Sequence, residues 1–415
     1  MRRFAPMTRF LAAAALALAA PVLAGNQHPS QNGSSTRADA QLERALTTLR
    51  LNGIDSALAE VDSILARYPN FRLAYLVRGD LLLARARPIS GFGNTKHVNG
   101  ERLDELRTEA LKRLRARDVH PSDGIVPRYL LRAAPQTKNA IVIDTGLSRV
   151  YVYENANGGW RLADDYYTTI GKYGIAKERE GDKKTPIGVY RVISHIPGKR
   201  LPDLYGWGAF PIDYPNEWDR MRGRTGYGIW LHGVPSDTYA RPPQASDGCV
   251  ALANPDIAEL SKRVQTGETP VIIADRIEWV PAQKLRNERD AFLEALEAWR
   301  GDWESRDAER YLAHYATGFR SSDMDRAAWG AHKRRVNGAK RWIKVALNGL
   351  SAFRYPGAGD MMSVSFEQDY RSNNLSQRTR KRQYWVLESG RWKIAYEGPV
   401  TGRAIALPES YRGAR

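Results

Sequence analysis

The sequence predicts a multidomain α+β protein: an α-helical segment first, a mostly-β domain in the centre, and a C-terminal α+β domain. Three observations predict it. Apolar residues recur at helical spacing between residues 38 and 117, alternate at strand spacing between 138 and 275, and return to helical spacing from 282 before further alternating runs. The chain has 415 residues, 42% of them hydrophobic, which is enough for two or three cores.

Arg2, Arg3 and Arg9 precede an apolar run from Phe10 to Ala20, and Val22-Leu23-Ala24 supplies a cleavage pattern before Gly25. This reads as a signal peptide over 1–24, too short to span a bilayer. The expectation is export to the periplasm with no transmembrane anchor. From Ala38 helices follow in series: Leu42, Ala45, Leu46 and Leu49 share a face, Ile54 to Arg67 forms a second helix, and Phe71 to Ala84 a third beyond Tyr68-Pro69-Asn70. Helix, Tyr-Pro turn, helix resembles a tetratricopeptide unit over little more than one repeat. A fourth, charged helix from Leu103 to Arg115 suits either a docking surface or a cap on the next domain.

A Pro-bearing linker (118–137) leads into the central domain, expected over 138–275. Asn139–Thr145 and Ser148–Glu154 flank a Gly146-Leu147 turn, and further strands are expected at 160–170, 187–193, 227–232 and 269–274. Pro202 to Asn216 reads as a cleft-lining loop. In the last domain, expected over 282–400, one long helix (Ala282 to Ser305) and a short one precede strands at 340–347, 360–371, 376–388 and 391–397. His314 and Asp369 are its one candidate acid–base pair, read more readily as structural residues.

The chemistry-bearing stretch is Leu231 to Leu252. It holds the only cysteine, Cys249, after Ser246-Asp247-Gly248, and His232-Gly233 lies seventeen positions upstream. A thiol attacks carbon only as thiolate, so it needs a neighbouring base or cation. In an exported chain an unpaired cysteine is a liability, which suggests that this one is kept as a thiol. The Pro-rich loop from Val234 to Ala245 is placed to wall such a site.

His232-Gly233 followed by Ser246-Asp247-Gly248-Cys249-Val250 resembles the signature of the L,D-transpeptidase (YkuD) family, and Gly181 to Tyr190 (GDKKTPIGVY) is similar to its upstream Thr-Pro segment. The C-terminal helices and final YWVLESGRWKIAYEG hairpin resemble the nuclear-transport-factor-2-like (SnoaL-like) cone. The resemblance implies Cys249 as nucleophile, His232 as base oriented by the Gly233 carbonyl, and an oxyanion hole from the Gly248 and Cys249 N–H groups, with Ser246 and Asp247 in support. Arg241, Lys184 and Tyr239 are candidate substrate-binding residues. Two positions depart from the family pattern: Asp247 stands where a histidine is usual, and Ala251 where many members carry arginine.

The implied reaction is acyl transfer through a cysteine thioester on peptidoglycan tetrapeptide stems, with D-Ala released. An amine resolves it to a crosslink or a protein attachment, for which a lysine-bearing envelope lipoprotein is a candidate acceptor. Water resolves it to hydrolysis, and a non-catalytic envelope adaptor is the third reading. A papain-like protease places its cysteine before its histidine, the reverse of this order. No cofactor is expected, and the seven histidines show no metal-ligand spacing. The net charge of +17 suits an anionic wall; the basic residues are spread along the chain, which argues against nucleic acid.

Overall fold

The structure is a computed structural model and describes residues 38–94, 100–119, 121–156 and 159–400. The expected signal peptide lies outside the described residues. Within them the order of helices, central mixed domain and C-terminal α+β domain is as expected.

The four N-terminal helices are Ala38–Asn52, Ile54–Arg67, Arg72–Ala86 and Gly100–Asp118. Their shared core includes Val61, Ile64, Phe71, Ala74 and Leu81. The tetratricopeptide resemblance gains no support beyond the helix–turn–helix itself. The fourth helix acts as a cap. Arg113 is buried between Asp39 and Glu109, its guanidinium 3.9 Å over the Tyr167 ring of the central domain, and Asp39 reaches on to Arg149 at 2.6 Å. Arg149 in turn holds Asp165 at 2.5 Å, so one ionic chain joins the helices to two neighbouring strands.

The central domain is built on a five-stranded sheet ordered Gly159–Tyr167, Arg149–Ala156, Asn139–Asp144, Pro270–Ala274, Gly188–Arg191. Side chains on a strand alternate between faces. Here Ile141, Ile143, Val150, Val271 and Ile273 enter the domain's own core, while Val142, Tyr151, Tyr153 and Ile272 face the C-terminal domain. Burial on both faces explains why NAIVID is buried throughout. A second sheet, Val250–Ala251, Trp230–His232, Gly208–Pro211, Ile196–Pro197, covers the inner core and carries the candidate chemistry.

The C-terminal domain wraps a curved five-stranded sheet around the helix Ala282–Ser305, whose Phe292, Leu296, Trp299 and Trp303 are buried. Strand Tyr315–Ser321 and helix Arg326–Gly338 were not anticipated. That helix buries only Trp329, Gly330, Lys333 and Asn337, so it shows no apolar period to read. The His314–Asp369 pair does not form: His314 Nε2 meets Asp302 at 2.8 Å, and Asp369 pairs with Arg371 and Arg378. The Trp218–Tyr384 ring contact joins the two larger domains, and Tyr151–Trp279 ties the connecting segment into the same continuous apolar cluster.

Candidate active site

Two short parallel strands set the site. Val250 pairs with Leu231 and Ala251 with His232. Leu231 and Val250 point into the core, so the opposite face carries Trp230, His232, Cys249 and Ala251. Cysteine, just ahead of its strand, and histidine therefore share one face, two residues apart along the diagonal.

The imidazole is fixed by its own neighbour. His232 is buried, with Nδ1 2.6 Å from the Gly233 carbonyl oxygen. With Nδ1–H donating there, Nε2 is left with its lone pair available. The Tyr205 ring packs edge-on against the imidazole, centroids 5.0 Å apart. Asn254 locks the local backbone, accepting from the N–H groups of Trp207 (2.9 Å) and Val234 (3.2 Å) and donating to the Val234 carbonyl (2.8 Å).

The Ser-Asp-Gly-Cys turn is tied internally. Ser246 Oγ donates to the Cys249 carbonyl at 2.6 Å and accepts from the Gly248 N–H at 3.2 Å. Of the two N–H groups expected to hold an oxyanion, that of Gly248 is engaged within the turn, which leaves the Cys249 N–H as the expected donor. Thr185 of the Thr-Pro segment accepts from the Gly171 N–H (2.9 Å) and donates to the Gly248 carbonyl (3.0 Å), which fixes the plane of the Gly248–Cys249 peptide and the direction of that N–H. Gly248 has φ of +117°, and a Cβ there would lie 2.7 Å from the Lys184 carbonyl oxygen, so only glycine fits.

Burial dominates the electrostatics. It pulls His232 down to about 4, against the Gly233 hydrogen bond and with help from the Arg241 charge. It pushes the Cys249 thiol up to about 11, against a Trp230 backbone hydrogen bond and the charges of Lys177 and Arg241, while Asp247 adds to the rise. Cys249 Sγ also donates to the Gly228 carbonyl at 3.3 Å. Between about pH 4 and pH 11 the resting pair is thus neutral thiol and neutral imidazole. Iodoacetamide labelling of Cys249 at pH 7 is accordingly expected to run roughly a hundredfold slower than for a free thiol and to keep rising with pH beyond 9. A labelling rate that levels off near neutrality would contradict this.

The other expected residues divide. Arg241 lies close enough for its charge to act on both His232 and Cys249, and its guanidinium donates to the Ala245 carbonyl. Lys184 packs its backbone against the turn. Asp247 is 81% exposed and pairs with Lys183 at 3.3 Å, so it makes no contact with His232. Tyr239, expected at the substrate site, is instead buried against Tyr68 and Phe71 of the helical region, centroids 4.9 and 4.4 Å apart. Its N–H donates to the Asn70 carbonyl (3.4 Å), and Asn70 Nδ2 donates to the Ser236 carbonyl (3.0 Å). The helices thus hold the loop that carries Arg241. Tyr239→Ala is expected to lower stability by about 3 kcal/mol and to open residues 234–245 to limited proteolysis; an unchanged cleavage pattern would remove the fastening role.

Sequence reading missed Thr185, Tyr205 and Asn254. Thr185 and Tyr205 stand inside stretches already marked, and Asn254 lies just inside a helix whose cap is Ala253. Among the described residues no cluster of metal-ligating side chains occurs, and no helix is long and apolar enough to cross a membrane.

Residues 138–273 match the L,D-transpeptidase catalytic domain (YkuD), and residues 291–398 match the Cds6 C-terminal NTF2-like domain. The chain is 30% identical over 110 residues to YafK of Escherichia coli (strain K12), whose name assigns it provisionally to the L,D-transpeptidases. The match covers 26% of this chain and spans 40% of the length of that curated relative. Two solved structures are similar over most of the chain. Bd1075 of Bdellovibrio bacteriovorus has 28% identity and a TM-score of 0.59, covering 67% of this chain and 100% of its own. The helical cell shape determining protein Pgp2 of Campylobacter jejuni has 25% identity and a TM-score of 0.55, covering 70% and 99%.

Proposed function

We propose that this chain, which carries an L,D-transpeptidase catalytic domain joined to an NTF2-like domain, is a periplasmic cysteine acyltransferase acting on peptidoglycan tetrapeptide stems. The observation that carries the reading is the buried imidazole with Nδ1 pinned by Gly233 and Nε2 left as base, on a strand paired with the one that Cys249 leads.

His232 Nε2 takes the Sγ proton as sulfur attacks the carbonyl joining meso-diaminopimelate to D-Ala at position four. The carbonyl oxygen gains charge and is met by the Cys249 N–H. The C–N bond then breaks, the imidazolium returns the proton to the departing D-Ala amine, and a thioester remains. Arg241 is assigned to the free carboxylate of that D-Ala, which a guanidinium can hold with two parallel hydrogen bonds. Because the resting site is uncharged, the proton moves only as the C–S bond forms. The acid limb of kcat/KM is therefore expected near pH 4, where His232 loses its proton, and not near 6.5. An acid limb at 6 or above would show that burial does not depress His232.

Incubation of the purified protein with disaccharide-tetrapeptide tests the reading. Tetra-tri dimers identify transfer to an amine, and tripeptide with free D-Ala identifies transfer to water. Neither product, with Cys249 unlabelled by a carbapenem, would sink the acyl-enzyme. Full complementation of a deletion strain by Cys249→Ala would favour the adaptor.

A further inference from the structure

A cavity of about 490 Å³ opens between the catalytic and NTF2-like domains. That volume is in the range of ligand sites, and domain junctions are where such sites concentrate. One wall is Ile175 and Ala176 with Ile187 of the Thr-Pro segment; another is the hairpin loop Tyr355 to Ala358 of the C-terminal sheet. Trp218 and Arg222 flank it on one side and Arg276 on another.

The charges around the cavity are unevenly satisfied. Arg224 is taken up by the buried Asp219 at 2.9 Å, and Glu278 by Arg128 at 3.1 Å. Arg222 and Arg276 are exposed, and among the described residues neither forms an ion pair; Arg222 lies 5.9 Å over the Trp218 ring. A forked guanidinium beside an indole, with a second on another side of the cavity, matches carboxylates attached to a flat-faced sugar or peptide. Asp275 supplies one opposing charge, which leaves the mouth net positive.

The cavity is also joined to the catalytic turn. Ile175 pairs with Thr185, whose hydroxyl holds the Gly248 carbonyl. The chain after Arg222 and Arg224 runs on to Gly228, whose carbonyl accepts from the Cys249 thiol. A ligand touching Ile175 is thus two contacts from the peptide that aims the oxyanion donor.

We propose that this interdomain cavity is a second binding site for a carboxylate-bearing glycopeptide of the wall, a neighbouring segment of the polymer whose stem is being processed. Arg222 and Arg276 hold its carboxylates, and Trp218 packs against it. The choice of ligand rests on the proposed function; the site itself does not need Cys249.

The test uses the full chain with Cys249→Ala, so that Ala358→Cys introduces the sole thiol, on a half-buried position of the cavity wall. Maleimide labelling of that thiol is followed with and without disaccharide-tripeptide, which lacks the residue whose loss would acylate the enzyme. Protection of at least fivefold is expected, lost on adding Arg222→Glu and Arg276→Glu but retained with the charge-matched surface changes Arg161→Glu and Lys262→Glu. Labelling that saturating ligand does not slow, or protection that the control changes remove equally, overturns the second site. Acylation of the unaltered protein by disaccharide-tetrapeptide is scored separately, so a failed second site and a failed acyltransferase give different results.

Discussion

Replacing His232 with glutamine is expected to lower kcat/KM on a tetrapeptide donor about a thousandfold, close to 4 kcal/mol of transition-state stabilisation. The size follows from the thiol. With Cys249 pushed up to about 11, only a minute fraction is thiolate at neutral pH, so almost all turnover depends on a base that removes the proton during attack. Lys177 and Arg241 favour the thiolate without accepting its proton, and their influence is outweighed by burial. Glutamine can still donate to the Gly233 carbonyl beside it, so the strand should hold and the melting temperature should change little. Carbapenem acylation followed by mass spectrometry reads the step directly. A rate within tenfold of the unaltered protein, climbing with pH, would mean that the cations supply the thiolate and His232 is structural. Rescue by added imidazole would support the base.

What could be read from the sequence depended on how locally each feature is encoded. The helix from Ala282 to Ser305 and the strands around Ile141 and Ile272 were legible because spacing alone marks a buried face. Helix Arg326–Gly338 was not, since it buries an asparagine and a lysine, the latter over the rings of Trp303, Tyr311 and Trp329. Cys249 and His232 stood out by uniqueness and by their glycines. Their meeting on one face is a product of parallel pairing, which chain order does not display. Tyr239 illustrates the harder case. A tyrosine in a loop beside a nucleophile reads as a substrate contact, and only the packing of Tyr68 and Phe71 shows that it anchors the loop from behind. Asp247 was equally ambiguous until its exposure and its Lys183 partner were known.

Arg382→Met is expected to destabilise the junction of the two larger domains by about 3 kcal/mol. The guanidinium projects from the C-terminal strand Leu375–Glu388 and meets two carboxylates of the catalytic domain, Glu217 at 2.8 Å and Asp213 at 3.1 Å. Arg382 and Glu217 are only 6% and 5% exposed, so losing the cation leaves negative charge in a place that water barely reaches. Removing one partner of such a group typically costs 3–5 kcal/mol, whereas replacing all partners with apolar groups of similar volume can be neutral. The lower end applies because help remains: Arg191 donates its backbone N–H to Asp213 at 2.7 Å, and Arg220 lies 3.7 Å from Glu217. Adding Glu217→Leu to Arg382→Met should therefore recover a large part of the loss, while Glu217→Leu alone should not stabilise, because it leaves the buried Arg382 with Asp213 alone. Chemical denaturation of the three variants gives the coupling directly. A loss below about 1 kcal/mol for Arg382→Met would mean that the aromatic contacts hold the interface and the ions merely tolerate it. The loop Tyr355 to Ala358 hangs from the same sheet, and Asn216, next to Glu217, donates to the Tyr355 hydroxyl at 3.2 Å. Weakening the ionic cluster should accordingly loosen the cavity wall before it reaches Cys249, so that ligand protection falls first and acylation of the thiol later.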